Sequence, residues 1–412
     1  MTTAGVLVIL YCISTAVAIA VRRTRVPYTV ALVIVGLALG SMRFVAPPHL
    51  TRELLFTFFL PGLLFEAAFH LDWTAFRRVW RSAVGLAVPG VVVATVVMAV
   101  LVVVAGRAFG LATDMDPRLA LVFGALLAAT DPVAVTALFR ELKAPARLAA
   151  LLESESLFND GTGIVLLSLM LAYATGAPTG LATASAEFVL LTGGGALIGA
   201  GVGWVVAMVI RRLDEPMIEI GLTVIAAYGS FVLAERVGVS GVLATVVAGM
   251  MCGRQGRDLG MSPLSRAAVQ TFWEYVAFAL NSIVFLLIGF EFDSVRLRSV
   301  WPELIVAFLA MLVARGLIVF GMLALQRRSA DPLPRRWGSI VVLGGLRGAL
   351  SMVLALSLPP DLPQRDLIVS LTVGVVLLSI IVQGMTMPFL MRWTQAAGRA
   401  GAIGEPTDDS AS

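Results

Sequence analysis

The chain has 412 residues, of which 59% are hydrophobic and 14% charged, with a formal net charge of +4. Soluble domains carry about a quarter charged residues, so this composition excludes a soluble globular protein and describes an integral membrane one. The basic residues are spread through short connections and never cluster among aromatics, which excludes nucleic acid as their partner.

In chain order, hydropathy predicts thirteen spans, near residues 4–21, 27–42, 53–71, 83–105, 118–139, 147–173, 186–210, 217–234, 238–252, 270–290, 301–325, 337–358 and 366–391. The first has no basic residue ahead of its apolar run, which argues for a span and against a removable signal. With the N-terminus outside, Arg22, Arg23, Arg25, Arg77, Arg78, Arg81, Arg140, Lys143 and Arg147 all fall on the cytoplasmic side, as do most later arginines. That bias predicts an outside N-terminus and a cytoplasmic C-terminus. Lys143 is the sole lysine in a chain rich in Ala, Val and Gly, which suggests a GC-rich bacterial genome and hence a bacterial plasma (inner) membrane, with lipid as the surrounding partner. Cys12 and Cys252 read as packing residues, and residues 398–412, with Glu405, Asp408 and Asp409, as a short disordered cytoplasmic tail.

Five spans carry polar residues that hydrocarbon penalises. The third holds Glu66, just after Pro61-Gly62. The fifth holds Thr130-Asp131-Pro132, where proline removes an amide donor and should break the helix. The sixth holds Glu153, Ser154, Glu155, Ser156, Asn159 and Asp160. An ionised carboxylate at that depth costs about 2.5 kcal/mol or more, so Asp160 marks an ion or proton path by default. Helical spacing puts Glu155 and Ser156 on the face of Asn159, whose amide can hold Glu155. The eleventh holds Arg315, for which the sequence names no partner. The twelfth holds Gly344-Gly345-Leu346-Arg347-Gly348, a second break around an arginine that stays charged and needs an acid. A Glu155–Arg347 ion pair is therefore predicted as a structural tie.

The two broken spans are seven apart and so enter the membrane from opposite sides. Six spans, a linker span and six more make an inverted repeat, and paired breaks in such repeats point to a midplane binding site. Hard monovalent cations prefer oxygen ligands, here the Asp160 carboxylate, the Ser156 hydroxyl, the Thr130 carbonyl, Glu66 and Asp131. One carboxylate binds a cation or a proton, not both. If only the loaded site crosses between inward-open and outward-open states, the two fluxes run in opposite directions and are coupled. Exchange of sodium (or lithium) for protons is the reading, with potassium as the rival cation. A sodium-coupled solute symporter would need a further polar pocket, for which few residues remain. An intramembrane enzyme is not expected, because neither histidine lies in a span core and Asn159-Asp160 is not an aspartate pair. No cofactor is called for.

Phe65-Glu66, Ala129-Thr130-Asp131-Pro132-Val133-Ala134, Glu153-Ser154-Glu155-Ser156-Leu157-Phe158-Asn159-Asp160-Gly161, Val239-Ser240-Gly241-Val242-Leu243-Ala244, Phe272-Trp273-Glu274-Tyr275 and Gly344-Gly345-Leu346-Arg347-Gly348-Ala349 follow one another as in a known group. Over about residues 4–392 the chain resembles the monovalent cation:proton antiporter-1 family, which includes NhaP-type sodium/proton antiporters. The resemblance implies an all-α polytopic membrane protein with about 13 transmembrane helices, inverted repeats and two broken crossing helices, the NhaA/NhaP-like antiporter fold. It implies a homodimer in which residues 1–397 form one unit, with transport helices at about 53–173 and 270–358 and dimerisation helices from the remainder. Carried over by position, Asp160 is the essential carboxylate, and Thr130, Ser156 and Glu66 share in sodium coordination. Asn159 steadies Glu155, and Arg347 pairs with it. Asn-Asp in place of two aspartates implies electroneutral one-for-one exchange, in the service of ion and pH homeostasis.

Overall fold

The computed structural model describes residues 3–22, 27–42, 55–110, 115–131, 135, 139, 144–176, 180–257, 260–290, 300–328 and 332–403. Among these the chain is helical, with no strand, as expected where backbone polar groups have no water to bond. The helices are α1 Thr3–Val21, α2 Tyr28–Met42, α3 Leu60–His70, α4 Trp73–Ala108, α5 Pro117–Leu126, α6 Ala146–Ala174 and α7 Leu181–Ile210. They continue as α8 Pro216–Val237, α9 Gly241–Met251, α10 Pro263–Phe290, α11 Trp301–Leu325, α12 Trp337–Gly344, α13 Ala349–Leu356 and α14 Arg365–Arg392.

Each expected span meets helix, with α12 and α13 as the halves of the twelfth. Eight helical stretches are long and apolar enough to cross a membrane by length and composition. Pro132, Lys143 and residues 404–412 of the expected tail lie outside the described residues, and the last helix runs on to Ile403, past the expected start of that tail.

Local chemistry sets the helix ends and bends. Asp72 caps α4, accepting from Thr74 N at 2.8 Å and Ala75 N at 3.1 Å, and Asp116 caps α5 ahead of Pro117. Within α4, Pro89 has no N–H, and the helix widens to a π turn over Leu86–Gly90. The Ala87 carbonyl there accepts the Thr162 hydroxyl of α6 at 2.6 Å.

The helices pack as two bodies. One joins α4, α5 and α6 to α11, α12, α13 and α14. The other joins α1, α2, α3, α7, α8, α9 and α10. Between α2 and α10, Gly36 and Gly289 let the backbones touch, since a Cβ on either would collide with the other helix, the small-residue contact common in membrane helices. The expected transport helices included 53–71 and 270–290 and left out 366–391. In the structure, α3 packs mainly on α9 and α10, α10 mainly on α2, and α14 on α11 and α13. Chain order alone does not carry this partition. Val92, Val96, Val100 and Val104 form an exposed stripe on α4, and Ile305, Leu309, Val313 and Leu317 one on α11. Such stripes suit lipid or another apolar surface.

Candidate functional site

The two breaks meet. After α5 the chain leaves the helix through Leu127–Asp131, and between α12 and α13 it is extended over 345–348. Asp131 N donates to Leu346 O at 2.7 Å. Arg347 Nη1 donates to Ala128 O and Ala129 O, both at 2.9 Å. Each unwound segment thereby satisfies backbone groups that the other has freed, as a dry interior demands. Arg347 N donates to Ser379 Oγ of α14 at 2.9 Å. At Gly348 a Cβ would collide with the Asp131 side chain, so glycine is what lets that carboxylate lie against the start of α13. A helix N-terminus carries partial positive charge and favours an anion there.

Asn159 of α6 ties the first break to the helix behind it. Thr130 N donates to Asn159 Oδ1 at 3.2 Å, and Asn159 Nδ2 donates to Thr130 Oγ1 at 2.6 Å and to Glu155 Oε1 at 3.1 Å. The Ser156 hydroxyl donates to Thr130 O. Glu155, 1% exposed, does not pair with Arg347 as expected. Its partner is Arg315 of α11, whose Nη1 and Nη2 reach Oε1 and Oε2 at 2.6 Å each. The reason is the supply of acceptors. Arg347 lies beside an unwound segment whose carbonyls are free, so it needs no carboxylate. Arg315 sits in an intact helix that offers none, takes the bidentate carboxylate, and adds one bond to Val341 O at 3.2 Å. A Cβ on Gly345 would come within 2.8 Å of Arg315 Nε, so the guanidinium rests against that glycine.

In front of this buried layer lies a cavity of about 400 Å³. Glu66, Thr130, Asp131, Ser156 and Asp160, the five expected cation-binding residues, all line it. Asn159, Glu155 and Arg347 do not, and stand behind it as supports. The Asp160 side chain receives no hydrogen bond from the described residues and faces the cavity half-buried. Glu66 is held from its own helix, with His70 Nδ1 3.2 Å from Oε1 and 3.0 Å from its carbonyl.

Glu153, Glu274, Asn281, Ser351 and His70 complete the polar lining. In the sequence, His70 lies next to the end of the third expected span and Glu274 near the start of the tenth. The four-residue spacing from Glu66 to His70 was the available signal for the first. For Arg315, the signal was its place near the middle of the eleventh span, far from Glu303 at that span's start. The wall can offer carboxylate, hydroxyl and carbonyl oxygens together, the donor set of a hard cation, while its acids attract cations into it.

The family model for sodium/hydrogen exchangers, transmembrane, matches residues 8–393. In sequence the chain is similar to the Na+/H+ antiporter NhaP of Pseudomonas aeruginosa, 40% identical over 349 residues that cover 82% of this chain and 81% of that one. It is also similar to the low-affinity Na+/H+ antiporter NhaS1 of Synechocystis, 38% identical over 385 residues covering 91% of this chain and 71% of that one. In fold it matches the sodium proton antiporter MjNhaP1 from Methanocaldococcus jannaschii with a TM-score of 0.76 at 20% identity, over 94% of this chain and 97% of that one.

Proposed function

We propose a function from the premise that the chain belongs to the sodium/hydrogen exchanger family: it exchanges sodium for protons across the bacterial plasma membrane, one for one, with both ions competing for Asp160. The observation that carries this reading is the Asp160 carboxylate, which has no hydrogen-bond partner among the described residues and faces a cavity lined by further oxygens. A site of that kind takes either a cation or a proton.

Sodium is held by Asp160, the Ser156 hydroxyl, the second lone pair of the Thr130 carbonyl and Glu66, with Asp131 across the cavity. Protonation of Asp160 removes the charge that holds the ion. Asn159 is neutral, and Glu155 is already matched by Arg315, so the cycle moves one positive charge each way and is electroneutral. His70 ends α3 just before the N-terminal turns of α4, which bear Arg77 and Arg78, and Glu153 lies in the N-terminal part of α6, which begins at Ala146-Arg147. With those helix ends on the cytoplasmic side and the N-terminus outside, the cavity faces inward. The body of α4–α6 and α11–α14 carries Asp160, Ser156, Thr130 and Asp131 past the other body, which bears Glu66 and is held still in a homodimer.

Proteoliposomes loaded with a pH dye test the reading. Sodium or lithium should dissipate an imposed proton gradient, and Asp160→Asn should abolish the response while leaving the melting temperature intact. Undiminished exchange by the variant would remove Asp160 from the mechanism. A response to potassium alone would replace the cation, and a rate that follows an imposed membrane potential would refute electroneutrality.

A further inference from the structure

We propose that Glu219 is a second proton-binding site, separate from the transport site and built into the body that holds α7, α8 and α10. Glu219 lies in the first turn of α8. It is 0% exposed, and neither carboxylate oxygen has a hydrogen-bond partner. Beside it stands Ser265 in the first turn of α10, also fully buried and with an unpartnered hydroxyl. One turn further along α8, Thr223 has no proton to offer, since its hydroxyl donates to Ile220 O at 2.8 Å and accepts from Trp273 Nε1 at 3.0 Å.

Among the described residues no cation compensates this acid. On its own segment the charged neighbours are Asp214 and Glu215, which are acids. On α10, Arg266 makes no ion pair and its Nε is unpartnered. Past the end of α7, Arg211 donates its Nε to Gln255 O at 3.3 Å, and Arg212 is exposed. Beyond α9, Arg254 lies over the Trp73 ring at 4.5 Å, and Arg257 donates to Phe69 O at 2.9 Å.

A fully buried carboxylate with no cation and only the Ser265 hydroxyl beside it carries a large desolvation cost. One bound proton removes the charge, and the Glu219 O–H then gives its hydrogen bond to Ser265 Oγ. Loss of that proton leaves a bare anion between α8 and α10. The same α10 presents Glu274 and Asn281 to the transport cavity, so proton release at Glu219 loosens the cavity wall from a distance and slows exchange at alkaline pH.

Infrared spectra of the purified full-length protein, wild type against Glu219→Gln, read the site directly. At neutral pH the wild type should show a carboxylic acid C=O band that the variant lacks. That band should vanish as pH rises, together with a fall in melting temperature that Glu219→Gln does not share. In proteoliposomes the variant should match wild-type exchange at acid pH and exceed it at alkaline pH. Ser265→Ala removes the hydroxyl that can donate to the anion and should raise the pH at which the band is lost, which gives a second readout if Glu219→Gln folds poorly. Identical spectra at neutral pH would overturn the proposal, as would loss of exchange by folded Glu219→Gln at every pH. Failure of the wild type to exchange sodium for protons would instead refute the function proposed above and leave the infrared result standing.

Discussion

Glu155 and Asp160 stand on the same helix, little more than a turn apart, and the structure treats them in opposite ways. Glu155 is sealed behind the crossing, with both oxygens on Arg315 and a further bond from Asn159. Asp160 has no hydrogen-bond partner among the described residues and is turned to the cavity. The same functional group, a carboxylate, is a structural element in one place and the proposed ion site in the other. What separates them is the set of groups around each. A buried charge whose two oxygens are both taken by protein donors cannot readily exchange ligands, whereas one that the fold leaves incomplete finds its partner in solution.

Perturbing the sealed side should give the largest change in stability. Arg315→Ala leaves Glu155 buried and uncompensated, a loss of about 3–5 kcal/mol, to be seen as a lower melting temperature in detergent. Glu155→Gln combined with Arg315→Met should recover most of it, because removing both charges removes the penalty. Arg347→Ala comes next. It takes a donor from the Ala128 and Ala129 carbonyls but leaves no bare charge, so its cost should be about 1–3 kcal/mol. If Arg347→Ala melts below Arg315→Ala, the assignment of Arg315 as the partner of Glu155 is wrong. Asn159→Asp replaces a donor to Glu155 with an acceptor and adds a second acid beside Asp160. It should cost on the order of 1–3 kcal/mol and make exchange respond to membrane potential, and a response identical to wild type would show that Asn159 does not set the stoichiometry. Smallest should be Gly345→Ala, where the added methyl presses on the movable Arg315 side chain, at about 1 kcal/mol by melting temperature.

Much of the site could be read before any coordinates because the membrane makes polar residues expensive. Asp160, Glu66 and the two breaks stood out on that ground, and all of them meet around one cavity. The choice between Arg315 and Arg347 could not be read in the same way. Hydropathy gives the depth of an arginine but neither the rotation of its helix nor the carbonyls that a neighbouring break sets free. The partition into two bodies was hidden for a related reason. Span order says which helices are consecutive, while the close approach of α2 and α10 depends on Gly36 and Gly289, two glycines among many. Glu219 was passed over because it lies near a span end, where an acid is ordinarily solvated.

The backbone bond from Asp131 to Leu346 and the grip of Arg347 on Ala128 and Ala129 also bear on how the protein is made. Asp160 leaves the ribosome ~190 residues before Arg347, an interval on the order of 10–40 s at ~5–20 residues per second. During that time the unwound segment before α6 lacks the groups that will close it, and Glu155 lacks Arg315. The ion site is therefore finished late in biogenesis, and the nascent first half waits in the membrane with its most costly residues still uncovered.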